Sequence, residues 1–358
     1  MRPLVATIDL AAIRHNYALA KRCAPGRRAF AVVKADAYGH GAATVVTALA
    51  EDADGFAVCC VEEARVVRAN APKARILLLE GCFDEDDMRS AAALNLDVAV
   101  QGVEQAERLL MLRSDRPLNV WLKLDSGMHR LGFAADEIRH WAECLRDAPQ
   151  VAEVNLISHL ACADEQGHEL TGQQLDCYGD LQDVAFDQRS FANSAAVLVF
   201  APAHMDWIRP GIMLYGSSPF AGMSAAELGL KPAMSLTAEI IALHDVPAGE
   251  GVGYGATWVA QRPSRVATVS CGYADGYPRH APSGTPVVLR GQRVPLAGRV
   301  SMDMLSIDVT DLSGVRIGDA VELWGAQLPI DEIAQASGTI GYELLTKVTA
   351  RVRREYRV

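Results

Sequence analysis

Long apolar runs are what this sequence most plainly lacks. No stretch approaches the roughly 18 residues of a membrane-spanning helix. The opening MRPLVATIDL also lacks the charged-then-apolar layout of a secretion signal, so a cytoplasmic protein with no membrane partner is expected. A basic surplus is missing too. The net charge of −10 and a pI near 5.4 leave no basic face for nucleic acid or an anionic lipid surface. None of the eight cysteines forms a CxxC pair, and they read as reduced thiols. His129, His140, His159, His168 and His204 show no ligand spacing, so no metal site is expected. There is no internal repeat, and no GxGxxG follows the first strand-like run, which argues against a dinucleotide-binding fold.

What is present is a large apolar fraction, 50% of 358 residues, enough for two domains. The chain is organised around AFAVVKADAYGHG, Ala29 to Gly41. The run AFAVV reads as a buried strand that ends at Lys34, and a polar turn then leads into the helical pattern AATVVTALA. Counted from there, AFAVVK, GFAVCC, RILLLE, LDVAVQ, NVWLKLD, VNLISHL, RSFANS and MDWIRPG make eight strand-like runs, most followed by a helical stretch such as ADEIRHWAECLRD. Eight strands separated by helices predict an α/β fold, a (β/α)8 TIM-type barrel. Near Leu228 the pattern changes to period-two runs such as SLTAEIIALHDV and SRVATVSCGY between Gly/Pro turns, which predicts a mostly-β domain. The expected division is residues 1–228 for the barrel and 229–358 for the β domain.

Barrel chemistry gathers at the carboxyl ends of the strands. Those ends carry Lys34, Lys123-Leu124-Asp125, His159, Asn193-Ser194 and Arg209. A lysine in a barrel mouth can lose its proton and form a Schiff base. Tyr38, near the start of the next helix, could help hold an anion such as phosphate. His40, between two glycines, reads as a turn residue.

VVKADAYGHG resembles the cofactor-lysine signature of bacterial alanine racemases, a family that pairs a pyridoxal-phosphate barrel with a C-terminal β domain. WLKLDSGMHRLGF, NSAA, IRPGIMLYG, GVGYGATW, GYADGYPR, GRVSMDM and GYELLTKV resemble further motifs of that family, in its order and over nearly the whole chain. The resemblance implies racemisation of alanine with pyridoxal 5'-phosphate, serving either wall synthesis or alanine breakdown. Lys34 would hold the cofactor and act as base on one face of the substrate α-carbon, with Tyr254 as base on the other. A tyrosine ordinarily ionises near pH 10, so such a base needs a supporting network, for which the resemblance supplies His159 and Arg209. Arg209 would also face the pyridine nitrogen and keep it unprotonated.

For the phosphate, the resemblance points to Tyr38, Ser194, Gly211, Ile212 and Tyr342. For the substrate carboxylate, it points to Arg130 and the backbone of Met302, with Asp303 beside it. Lys123 would carry a carbamate that steadies Arg130; uncarbamylated, it could instead pair with Asp125. Asp164, Tyr273, Arg279 and Arg299 would line the entrance. Tyr254, Tyr273, Met302 and Tyr342 would come from the partner subunit, making the enzyme a homodimer with shared sites. Asp36 stands where asparagine is common in the motif, and ACADE follows His159 where threonine often replaces the cysteine. The alternatives are a racemase or decarboxylase of basic amino acids on the same fold, and a non-catalytic pyridoxal-phosphate carrier. The β domain with its candidate second base weighs against the carrier, and the GVGYGATW and GRVSMDM motifs weigh against the decarboxylase.

Overall fold

The computed structural model describes residues 2–114 and 116–358, which form two compact units. One comprises Arg14–Ala37 and Gly41–Leu214; the other comprises the first residues through Ile13, Tyr38–His40 and Tyr215–Val358. Strand β1 (Leu4–Asp9) and helix α1 (Leu10–Cys23) open the chain.

The first unit is built on β2 (Arg28–Val32), β3 (Gly55–Val58), β4 (Arg75–Leu78), β5 (Asp97–Val100), β6 (Leu118–Lys123), β7 (Val151–Ile157), β8 (Arg189–Ser190) and β9 (Trp207–Ile208). These close into a barrel in sequence order, each strand parallel to the next and β9 pairing back to β2. All eight expected strands are present. Every residue of β3 and β5 is buried, as a parallel strand covered on both faces requires. Helical segments follow each of the first seven barrel strands: α2 (Lys34–Gly39) with α3 (Ala42–Leu49), α4 (Val61–Asn70), α5 (Glu85–Ala93), α6 (Val103–Met111), α7 (Ala135–Arg146), α8 (Glu169–Gly179) and α9 (Ser194–Val199). In α7 the buried residues Ile138, Trp141, Ala142 and Leu145 form the apolar stripe that packs it onto the barrel.

The amino ends of the strands are plugged by aromatic rings and one part-buried ion network. Phe30 stacks on Trp207 with centroids 3.9 Å apart and meets Trp121 edge-on. Arg75 donates to Asp97 and to Glu153, both at 2.6 Å, and lies over the faces of Trp121 and Trp207. Asp97 also accepts from Trp121 Nε1 at 2.7 Å and from Asn119 at 3.0 Å. That end is full, which leaves the carboxyl end for chemistry.

The second unit is mostly β: β10 (Met234–Val246), β11 (Gly251–Val252), β12 (Trp258–Val259), β13 (Ser264–Val269), β14 (Pro286–Leu289), β15 (Gln292–Pro295), β16 (Leu305–Asp308), β17 (Ala320–Trp324) and β18 (Arg353–Arg357), with α10 (Ile330–Ala336) and α11 (Gly341–Thr346). Its main sheet runs β15-β14-β17-β10-β1-β18, and β13 extends it from β10 to β16. Leu236, Ala238 and Ile240 of β10 point inward while their neighbours face outward, the period-two signature of an antiparallel sheet with one covered face. The observed units differ from the expected division at the amino end, at Tyr38–His40 and at residues 215–228, all of which fall in the second unit. Strand β1 belongs to this second sheet, antiparallel to β10 and parallel to β18, because its alternating burial suits a one-sided sheet. Among the described residues, no helix is long and apolar enough to cross a membrane.

Candidate active site

Lys34 begins a turn of unusual hand. Ala35, Asp36, Ala37 and Tyr38 have φ of 51°, 54°, 53° and 52°, a left-handed helical turn without a glycine. Each such residue costs roughly 1–2 kcal/mol relative to the right-handed form, so four of them need strong support. It comes from hydrogen bonds. The Ala35 N–H donates to Glu63 Oε1 at 2.6 Å, while Glu63 Oε2 takes the Cys59 N–H at 2.8 Å. Asp36 Oδ1 accepts from the Ala42 N–H at 2.7 Å, placing a carboxylate at the start of α3, where a negative charge is favoured. Gly39 continues with φ 81°, and a Cβ there would lie 2.2 Å from the Leu345 carbonyl oxygen. Tyr38 is therefore in this turn, ahead of the helix that sequence reasoning placed it near. Burial pushes its phenol up to about 12, and its ring stacks on Tyr215 at 4.8 Å and lies 6.0 Å from the Tyr342 ring. Tyr342, expected from a partner subunit, thus lies beside Tyr38 of its own chain, because α11 carries it there. His40, read as a turn residue, is fully buried and stacks on Tyr215 at 4.5 Å.

The other barrel candidates converge on Lys34. Arg209, just past β9, is 4% exposed. It donates to Ser190 Oγ at 2.6 Å, to the Ser158 carbonyl at 2.5 Å and to the Phe191 carbonyl at 3.3 Å. Burial lowers its guanidinium to about 9, which leaves it charged at neutral pH. Arg209 also faces His159 Nδ1 at 3.5 Å, and a guanidinium can only donate, so that nitrogen is the acceptor. Burial, then the charges of Arg209, Lys123, Arg130 and Lys34, hold the His159 imidazole well below its ordinary value. It is neutral.

Lys123 ends β6. Burial, followed by the charges of Arg209, Arg130 and Lys34, lowers its ammonium to about 7, against a weaker opposing pull from Asp125. Among the described residues Lys123 makes no ion pair. Asp125 turns instead to the N–H groups of Gly127 and His129, at 3.0 and 2.9 Å, and to the His129 ring. The segment after β6 folds back, with the Phe133 N–H donating to the Lys123 carbonyl at 2.8 Å and the Asp125 N–H donating to the Phe133 carbonyl at 2.9 Å. Arg130 is thereby held in the same small cleft as Lys123 and His159.

Ser194, Gly211 and Ile212 also meet. The buried Ser194 hydroxyl accepts from the Gly211 N–H at 2.8 Å and the Met213 N–H at 3.3 Å. Asp164 is exposed in the segment between β7 and α8. Three residues beside Lys34 escaped the sequence reading: Glu63, Glu80 and Cys59. Burial and the adjoining Glu80 carboxylate push the Cys59 thiol up to about 12, so it is no nucleophile. Glu80 had one signal, its place at the end of the run RILLLE.

In the second unit, Tyr254 is 70% exposed on a short turn between Gly253 and Gly255, both at φ 72°. A Cβ on Gly255 would lie 3.3 Å from Arg299 Nη1. Tyr273 and Met302 are also exposed, on two segments tied together by hydrogen bonds from the Tyr273 N–H to the Ser301 carbonyl and from the Ala274 N–H to the Met302 carbonyl, both 3.0 Å. Arg279 shares a cavity with Tyr273 and His280. Asp303 accepts from Arg351 at 2.6 Å.

The chain matches the models of the alanine racemase N-terminal domain over residues 8–219 and the alanine racemase C-terminal domain over residues 233–356. It is 69% identical to an alanine racemase of Stutzerimonas stutzeri over 99% of both chains. It is 67% identical to a biosynthetic alanine racemase of Pseudomonas aeruginosa, again over 99% of both. The crystal structure of a biosynthetic alanine racemase from Pseudomonas aeruginosa superimposes with a TM-score of 0.99 over 100% of both chains. A crystal structure of alanine racemase from Bartonella henselae with covalently bound pyridoxal phosphate, 30% identical, does so with a TM-score of 0.92, also over 100% of both. The neutral imidazole, the buried guanidinium and the lysine at the barrel mouth therefore sit in a chain that belongs to the alanine racemase family.

Proposed function

We propose that this protein interconverts L-alanine and D-alanine with pyridoxal 5'-phosphate held through Lys34, as a cytoplasmic homodimer supplying D-alanine for peptidoglycan or alanine for catabolism. The observation that carries the reading is the convergence of Lys34 with a neutral His159 and a buried, charged Arg209 at one barrel mouth. The chain's own groups fit the cofactor. The Ile212 N–H belongs to a residue that is 0% exposed and donates to nothing among the described residues, a buried donor that a phosphate oxygen would satisfy. The Ser194 hydroxyl accepts two N–H bonds and keeps its proton for an anion. The Tyr38 hydroxyl, kept protonated by burial, is a donor of the same kind, and Tyr342 lies beside it.

When bound, the cofactor supplies an electron-withdrawing ring that delocalises the charge left as the α-proton departs. Arg209 can donate to a ring nitrogen opposite it but cannot protonate it. Lys34 Nζ takes or returns the proton on one face and Tyr254 Oη does so on the other. A single base would tend to return the proton to the face it came from, so both are required. Arg130 and the Met302 N–H hold the substrate carboxylate, with Lys123 and Asp303 behind them, and Asp164, Tyr273, Arg279 and Arg299 screen the approach. The exposure of Tyr254, Tyr273 and Met302 on the second unit supports their serving the barrel of a second copy.

The test is incubation with L-alanine and pyridoxal phosphate in heavy water. D-alanine carrying α-deuterium is expected, with none from Lys34→Ala. Tyr254→Phe should slow proton removal from L-alanine more than from D-alanine. Equal slowing would refute the two-face assignment, and carbon dioxide release without D-alanine would refute racemisation itself.

A further inference from the structure

The segments GYADGYPR and GRVSMDM both lie in the second unit and carry Tyr273 and Met302. The first of them also carries Asp275, whose side chain is completely enclosed. A buried carboxylate needs charged partners and hydrogen bonds, and Asp275 draws its charged partners from residues remote in sequence. Its Oδ1 takes Arg2 Nη1 at 2.5 Å and Arg351 Nε at 3.4 Å. Its Oδ2 accepts the Gly272 N–H at 3.0 Å.

Both arginines then reach past Asp275 to one residue. Arg2 Nη2 donates to the Asp303 carbonyl at 2.7 Å and to the Ser270 carbonyl at 3.3 Å. Arg351 Nη2 holds the Asp303 carboxylate at 2.6 Å. Asp303 is thus pinned at backbone and side chain, one residue after Met302. On the other side Gly272 presses against the same segment, where an added Cβ would lie 2.4 Å from the carbonyl oxygens of both Ser301 and Met302. The Met302 carbonyl is occupied by the Ala274 N–H. The Met302 N–H, by contrast, donates to nothing among the described residues. A rigid frame surrounds one unspent donor.

We propose that Arg2 and Arg351, joined through Asp275, are positioning residues that aim the Met302 N–H at the substrate carboxylate. This rests on the assignment of that N–H to the carboxylate made above. A carboxylate contact present in ground state and transition state alike is uniform binding, so loosening it raises KM and leaves kcat nearly untouched.

The experiment uses the dimeric holoenzyme in four forms: unaltered, Arg351→Ala, Arg351→Lys and Arg2→Ala. Each alanine variant leaves the other arginine on Asp275, so the enclosed carboxylate keeps a cation, and circular dichroism checks the fold. Two quantities are measured: KM and kcat for L-alanine, and the dissociation constant of propionate, the substrate's carboxylate without its amine, by calorimetry. The expected result is KM and propionate dissociation constant raised together about tenfold in the alanine variants, kcat within about threefold, and partial recovery in Arg351→Lys. Folded alanine variants with unchanged propionate binding, or with kcat reduced at constant KM, would overturn the proposal. Propionate binding judges this frame even if the unaltered enzyme fails to racemise alanine, an outcome that would sink the proposed function instead.

Discussion

Replacing Lys123 with methionine should change how stability depends on pH. In the folded chain the Lys123 ammonium is brought down by burial and by the charges of Arg209, Arg130 and Lys34, from an ordinary value of 10.5 to about 7. The unfolded chain keeps the ordinary value. Between those two values the unfolded chain holds a proton that the folded chain has released. Raising the pH therefore favours folding, and the cost of the lysine is largest at and below neutrality. A gap of about 3.5 would add about 2 kcal/mol of stability between about pH 7 and pH 9. Solvent screening of a side chain that is only half-buried trims this to roughly 1–2 kcal/mol. The assay is guanidinium unfolding of the wild type and Lys123→Met at intervals across that range in carbon-dioxide-free buffer. The difference between the two should move by that amount in favour of the wild type as pH rises, and parallel curves would refute the reasoning. Near neutrality part of the population carries an uncharged amine, a nucleophile for carbon dioxide. A carbamate there would place an anion among the three cations, so bicarbonate should stabilise the wild type and leave the variant unchanged. Labelled bicarbonate should give a carbamate carbon resonance only in the wild type.

Two further changes probe the barrel at its opposite ends. Glu63→Gln weakens two charge-assisted bonds, to the Ala35 and Cys59 N–H groups, worth about 1.5–3 kcal/mol each; the left-handed turn should loosen and pyridoxal phosphate should be lost faster on dialysis, while unchanged retention would show that Glu63 is not what holds Lys34. Asp97→Asn leaves Arg75 with Glu153 alone as counter-charge and should lower unfolding stability by about 1–3 kcal/mol with kcat unchanged, because the plug lies at the end of the barrel away from Lys34; equal stability by chemical denaturation would mean that the Asp97 charge contributes nothing.

The barrel was legible because parallel strands buried on both faces read as unbroken apolar runs, and because Lys34, Lys123, His159 and Arg209 interrupt those runs at their ends. Even β8 and β9, two residues each, were readable through the polar ends of RSFANS and MDWIRPG. Pairings between distant residues were not. VATIDL, assigned with residues 1–228 to the barrel, says nothing of its true partners, which lie far along the chain in β10 and β18. KADAY contains no glycine to announce a left-handed turn, and the group that sustains it, Glu63, sits in the first turn of α4, where an acidic residue has the ordinary explanation of favouring the helix start. The choice left open for Lys123 narrowed for a similar reason: Asp125 is consumed by N–H groups within its own segment, which spacing alone does not reveal.

The placement of β1 sets a timetable for synthesis. The barrel strands occupy a continuous stretch from Arg28 to Ile208, and a nascent chain can close them while the ribosome is still at work. Strand β1 leaves the ribosome earlier yet has hydrogen-bonding edges for two strands made much later, with Ile8 opposite Met234 on one side and Tyr356 on the other. At about 5–20 residues per second, some 7–30 s separate completion of β9 from the arrival of β18. During that interval the amino-terminal strand has an open edge that could pair with another nascent chain. Strand β1 is made before the barrel yet secured after it, and its exposure on the ribosome grows with every pause in translating the second half.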